Sequence, residues 1–108
     1  MRSGAGLLAL GLAISLAGTA QARPLKVMAL DQCADQYVLA LAPDAQLLLS
    51  HRADDADSFL RNAANGHRMV RPSLETAVAE RPDVVVRYWG GDARLLRRLE
   101  RDGVTVVT

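Results

Sequence analysis

Three short stretches carry most of the side chains that could do chemistry: Asp31-Gln32-Cys33, Ser50-His51-Arg52-Ala53-Asp54 and Arg87-Tyr88-Trp89-Gly90-Gly91. The third is the most informative. Tyr88 and Trp89 offer large, stiff, amphipathic surfaces. Gly90 and Gly91 allow a sharp turn and the close approach of a ligand to the backbone. Together they predict a binding surface, although Tyr88 alone reads equally well as a buried plug. Arg52 and Arg87 can pair with a carboxylate or phosphate, and each can equally be an ordinary surface arginine. Cys33 opens a helix, a place that can activate a thiol. A catalytic cysteine also needs an oriented histidine, and the expectation for Cys33 is a small buried side chain. His51 and His67 are the only histidines, and neither they nor Cys33 show a metal-ligand spacing, so no metal site built by the protein and no cofactor is expected. No G-x-G-x-x-G, P-loop or G-x-S-x-G occurs.

These stretches need elements to position them. Leu25 to Leu30 is almost continuously apolar, as suits a strand covered on both faces. Ala34 to Leu41 reads as a helix with Tyr37, Val38 and Leu41 on one inward stripe, stopped by Pro43. Gln46 to Leu49 is a second strand. Asp54 to Asn62 is expected to be helical with Phe59 and Leu60 inward, Asn65-Gly66 marks a turn, and Met69-Val70 is a brief extended piece. Ser73 caps a helix that Arg81-Pro82 closes. Asp83 to Val86 is a β-branched strand. Asp92 caps a last helix with Ala93, Leu95, Leu96 and Leu99 inward and Arg94, Arg97, Arg98 and Arg101 outward. Gly103 follows it at the C′ position, and Val104 to Thr108 is a fourth strand. This alternation predicts an α/β fold, a three-layer Rossmann-like lobe with a parallel sheet of about four strands. Ligands bind such sheets outside the carboxyl ends of the strands, which is where all three stretches fall.

The first residues read differently. Arg2 is a basic start, Leu7 to Leu16 is an apolar run, and Ala20-Gln21-Ala22 is an A-x-A cleavage signal. This is a secretory signal peptide in form, and the run is shorter than the ~20 residues of a membrane span. Removal of residues 1 to 22 from the chain of 108 leaves 86, with 12 Lys+Arg against 12 Asp+Glu once Arg2 is gone from the 13. A net charge of zero provides no field to draw nucleic acid or an anionic membrane. A single cysteine excludes an internal disulfide. The expectation is a soluble, periplasmic protein starting at Arg23.

The stretches LKVMALDQCADQYVLAL, SLETAVAERPDVVV and RYWGGDARLLRRLERDGVTVV resemble the amino-terminal lobe of periplasmic binding proteins that serve ABC importers of iron–siderophores, haem and cobalamin. The resemblance covers residues 24 to 108. Its most specific part is Arg81-Pro82-Asp83 running into a valine-rich strand ahead of helix, glycine and strand. It implies a monomeric two-lobed protein, not an enzyme, with a metal chelate or corrinoid held in the cleft between lobes. Tyr88 matches a ligand-contacting aromatic and Arg52 another cleft position. Trp89 stands one residue beyond the usual aromatic, and Arg87, Gly90 and Gly91 complete the loop. Glu75 matches a glutamate that docks on the inner-membrane permease, while by position alone it is a first-turn carboxylate favoured by the helix N-terminus. The linking helix and second lobe of that family do not follow Thr108, so the resemblance implies a fragment here. Two other readings stay open on the residues alone. One is a small exported α/β hydrolase working through Cys33, Asp31 and His51. The other is an interaction module without transport.

Overall fold

The structure is a computed structural model and describes residues 23 to 108; the signal peptide expected over residues 1 to 22 lies outside the described residues. The described residues form an all-parallel five-stranded sheet with three helices. In order these are β1 (Lys26–Ala29), α1 (Gln32–Leu41), β2 (Gln46–Ser50), β3 (Arg68–Val70), α2 (Leu74–Glu80), β4 (Val84–Val86), α3 (Ala93–Arg101) and β5 (Thr105–Val107). The α/β Rossmann-like class is as the alternation predicts. The strand count is five rather than four, because Arg68–Val70 pairs fully with β2, Leu48 opposite Arg68 and Ser50 opposite Val70.

The sheet order is β3-β2-β1-β4-β5. The chain winds outward from β1 to β3, then returns to the other side of β1. The direction of winding therefore reverses between β1 and β4, which opens a crevice at their carboxyl ends. Alternation along the strands sorts two cores. Val27, Ala29, Leu47 and Leu49 pack against Ala34, Val38 and Leu39 of α1. Met28, Leu30, Leu48 and Val85 pack against Ala77 of α2 and Leu95 and Leu99 of α3.

Helix ends follow the sequence. The side chains of Asp31, Ser73 and Asp92 accept the N–H groups of Ala34, Thr76 and Leu95, each satisfying an orphan donor. Arg81 ends α2 in the left-handed region at φ 50°, so it leaves the helical region before Pro82 as expected, but without a glycine. Below the sheet, Glu80 accepts from Lys26 Nζ at 2.8 Å and from Arg68 at 2.7 Å. Arg68 and then Lys26 hold its carboxyl down at about 2. This ties the end of α2 to β1 and β3.

Four expectations need correction, the first being Ala93, read as inward but exposed at the start of α3. Residues 54 to 62 form no helix but a series of turns, with Ser58 N–H donating to Asp55 O and Ala63 N–H to Leu60 O. Local side-chain bonds compete with the helix there: Arg52 Nε donates to Asp55 at 2.9 Å and Ser58 Oγ to Arg52 O at 2.8 Å. Phe59, expected inward, is 91% exposed. In α1 the buried face is Ala34, Asp35, Val38 and Leu39, so Tyr37 and Leu41 point outward. Cys33 is exposed, not buried. Asp35 sets this rotation, because its carboxylate takes the Ser50 N–H at 2.8 Å and the Ser50 hydroxyl at 2.5 Å.

Candidate functional site

Asp31 is the hub of the crevice. It is 2% exposed. Its Oδ1 accepts Ala34 N–H at 2.8 Å, capping α1. Its Oδ2 accepts the successive N–H groups of Tyr88, Trp89 and Gly90 at 2.8, 3.0 and 2.8 Å. Successive backbone N–H groups of this kind form an anion-binding nest, and here the anion belongs to the protein. Burial pushes the Asp31 carboxyl up, but the N–H groups of Ala34, Tyr88, Gly90 and Trp89 outweigh it and hold the pKa below the usual value. With its oxygens engaged in this way, Asp31 is a clamp between β1 and the loop after β4, not a free base.

The glycines of that loop serve the same clamp. A Cβ on Gly90 would sit against the carbonyl oxygen of Leu30 and 2.9 Å from its carbonyl carbon. Gly91 has φ +85°, which a side chain rarely adopts. Arg87 closes the turn from the other side, its Nε donating to Gly90 O at 2.6 Å. The loop is held against the protein itself at Gly90.

Those side chains part company. Trp89 lines a pocket of about 310 Å³ above the carboxyl ends of the strands, together with Asp31, Gln32, Ser50, His51, Arg52, Arg71, Gly90 and Gly91. Leu30 and Leu95 also line it. Tyr88 and Arg87 instead line an apolar groove of about 480 Å³ on the α1 side of the sheet, with Tyr37, Leu41, Val86 and Val107. Of the residues expected at a ligand, the structure therefore gathers Trp89, Arg52, Gly90 and Gly91 in one pocket and places Tyr88 and Arg87 outside it. Both aromatics are more than half exposed. Glu75 lies exposed in the first turn of α2.

Arg52 is positioned by its own loop. It pairs with Asp55 at 2.9 Å and lies 3.9 Å from Asp57. Its backbone is fixed through Ser50 Oγ, which accepts Arg52 N–H at 3.2 Å, and through Ser58. Gln32 Nε2 donates to Ser58 Oγ at 2.7 Å and Asp57 at 2.9 Å, so α1 holds the loop that presents His51 and Arg52. The Asp35 carboxyl beneath is raised to about 6 by burial, against the Ser50 hydroxyl and N–H and with the neighbouring Asp31 charge.

Two residues of this site escape sequence reasoning. Arg71 follows β3 directly and enters the pocket, and among the described residues its guanidinium makes no ion pair. Counting Met69-Val70 as a full strand would have put its carboxyl end, and so Arg71, on the binding edge. Asp35 gives no such signal, because its role appears only when Ser50 is brought beside it. Among the described residues, no group of three or more His, Cys, Asp and Glu is arranged to hold a metal ion, and no helix is long and apolar enough to cross a membrane. No protein-family model, curated protein or solved structure matches the chain.

Proposed function

We propose that this chain is the amino-terminal lobe of a substrate-binding component of an ABC importer, capturing an iron–siderophore, haem or corrinoid in the periplasm after export. The observation that carries this reading is the gathering of Trp89 with Arg52, Arg71 and His51 in one pocket at the carboxyl edge of the sheet. A flat indole beside guanidinium groups suits a large ligand with an aromatic or macrocyclic body and peripheral acids. The metal arrives as cargo within the chelate, so the protein need supply no metal ligands of its own. The Asp31 clamp keeps the Trp89 loop in place before ligand arrives, which lowers the ordering cost of binding.

In this reading the lobe is one wall of the cleft and a second lobe supplies the other, so binding to this chain alone is weak. Glu75, exposed at the start of α2, docks on the permease. The test is calorimetric titration of the purified chain with haem, a corrinoid and ferric siderophores of both catecholate and hydroxamate type. One class should bind with Kd in the micromolar to millimolar range, weakened on the order of tenfold by Arg71→Ala, the loss of one charge-assisted pair. Absence of heat with every class, for a chain shown to be folded, rejects the reading.

A further inference from the structure

Arg52, Arg71 and His51 line the pocket, yet two carboxylates stand in and behind its wall. Asp31 lines it directly, its charge shared among four backbone N–H groups. Asp35 is fully buried behind Ser50, itself a lining residue. The surroundings of Asp35 give a charge little support. Among the described residues no cation pairs with it. Its helix packs on Ala29, Leu47 and Leu49 of β1 and β2, all apolar. Lys26, the one charge on β1, is held by Glu80, and Arg52 is turned to Asp55 and Asp57. The charge that acts on Asp35 is Asp31, of the same sign.

Ser50 can serve Asp35 in either protonation state. Ionised, Asp35 accepts the Ser50 N–H at 2.8 Å and the Ser50 hydroxyl at 2.5 Å. Protonated on Oδ2, it still accepts the N–H through Oδ1 and donates to Ser50 Oγ, which keeps a lone pair for the Arg52 N–H at 3.2 Å. No hydrogen bond of the wall is lost, and the Ser50 hydroxyl proton is freed for an acceptor in the pocket.

We infer that the pocket takes an acidic ligand together with a proton, and that the proton lodges on Asp35. Asp35 is thus a positioning residue whose charge opposes the ligand and whose protonation admits it. The inference rests on the proposed function in one respect, that the pocket receives a ligand with acid groups. At a protein-like dielectric, two like charges on the order of 10 Å apart change each other's equilibria by about tenfold. Burial holds Asp35 at about 6 in the empty pocket, and an anion raises it further. Affinity is therefore highest below about pH 6. It falls as pH rises through that value and levels off once the loaded pocket has also lost its proton.

The test uses naphthalene disulfonate, a flat aromatic dianion whose charge does not change between about pH 5 and 8. Trp89 emission measures its Kd, and carbon NMR of the side-chain carboxyls follows Asp35. The Kd should rise about tenfold across this range, and saturating probe should move the Asp35 midpoint up by about one pH unit. The NMR readout needs no variant to fold. Asp35→Asn, whose amide can make the hydrogen bonds of the protonated acid, should hold the low-pH affinity of wild type at every pH. His51→Gln should weaken binding but keep the loss between pH 5 and 8. A midpoint that the probe does not move, or a pH dependence that His51→Gln removes and Asp35→Asn leaves, overturns the inference. So does Asp35→Asn binding worse than wild type at every pH, the mark of a merely structural residue. Absence of quenching at pH 5 rejects the pocket as an anion site and the proton with it. The probe is neither a chelate nor a corrinoid, so that failure is distinct from failure of the chelate titration.

Discussion

Replacing Asp31 with asparagine keeps the shape of the side chain and removes the charge that four backbone N–H groups share. A hydrogen bond to a charged group contributes about 1.5–3 kcal/mol, against about 0.5–1.5 kcal/mol for a neutral one, so four bonds would weaken by roughly 4 kcal/mol in sum. Relief from burying a charge offsets part of this. The amide also turns a donor toward N–H groups on one side, whichever way it is oriented. The net expectation is a loss of about 2–4 kcal/mol. For a domain of this size each kcal/mol corresponds to about 4–8 °C in Tm, so Asp31→Asn should melt at least about 8 °C below wild type. The pH dependence carries the same signature. The Asp31 carboxyl is held below its ordinary value in the folded chain, so its contribution is present above the unfolded value of about 4 and is lost as pH falls through the folded one. Asp31→Asn should lack that part of the acid transition. Trp89, the only tryptophan, supplies a local readout, since release of its loop should lower its fluorescence anisotropy. A variant within about 0.5 kcal/mol of wild type, with unchanged anisotropy, would refute the clamp.

Gly90→Ala drives a methyl group into the Leu30 carbonyl, and rigid backbone cannot yield cheaply, so a loss of about 2–3 kcal/mol is expected in urea denaturation. Asp35 gives the opposite pH slope from Asp31. Its folded value of about 6 exceeds the ordinary 3.8, so stability should fall by about 3 kcal/mol as pH rises from about 4 to 6. Asp35→Asn, which mimics the protonated acid, should be nearly flat across that window, and a persisting slope would assign it to another group. Glu75→Arg should cost at most about 1 kcal/mol of stability, through the helix N-terminus. In a two-lobed protein carrying this lobe it should impair uptake without changing ligand affinity, and normal uptake would leave Glu75 a helix-start residue only.

The parts of the fold legible in the sequence are those written in local signals. Ser73 and Asp92 name their helices because a cap needs only its own first turn, and Val84 to Val86 announces a strand by β-branching. Gly103 marks the end of α3 at φ +78° for the same local reason. Failures come where tertiary contact decides. The rotation of α1 is set by Asp35 reaching Ser50, which no periodicity in the helix records, so the spacing alone points Tyr37 and Leu41 inward. Residues 54 to 62 show helical spacing of apolar groups, yet Arg52, Asp55 and Ser58 satisfy each other in turns. The glycines of the Trp89 loop are conspicuous in the sequence, but the partner they admit is Asp31, from 57 residues earlier in the chain by the Tyr88 bond. The edge of the sheet that carries the site followed from the carboxyl-end rule. That Tyr88 and Trp89 turn to opposite sides of it did not, because adjacent residues in a loop carry no fixed alternation.

The pocket itself is most directly tested by the emission of Trp89. Haem, corrinoids and ferric siderophores all absorb in the near ultraviolet, so a ligand against the indole quenches it. The account predicts saturable quenching by one of these classes after inner-filter correction, weakened by Arg71→Ala and by Arg52→Ala, and retained in Tyr88→Ala, whose side chain lies in the groove rather than the pocket. Quenching that is absent for every class, or that Tyr88→Ala abolishes while Arg71→Ala leaves it intact, would contradict the account.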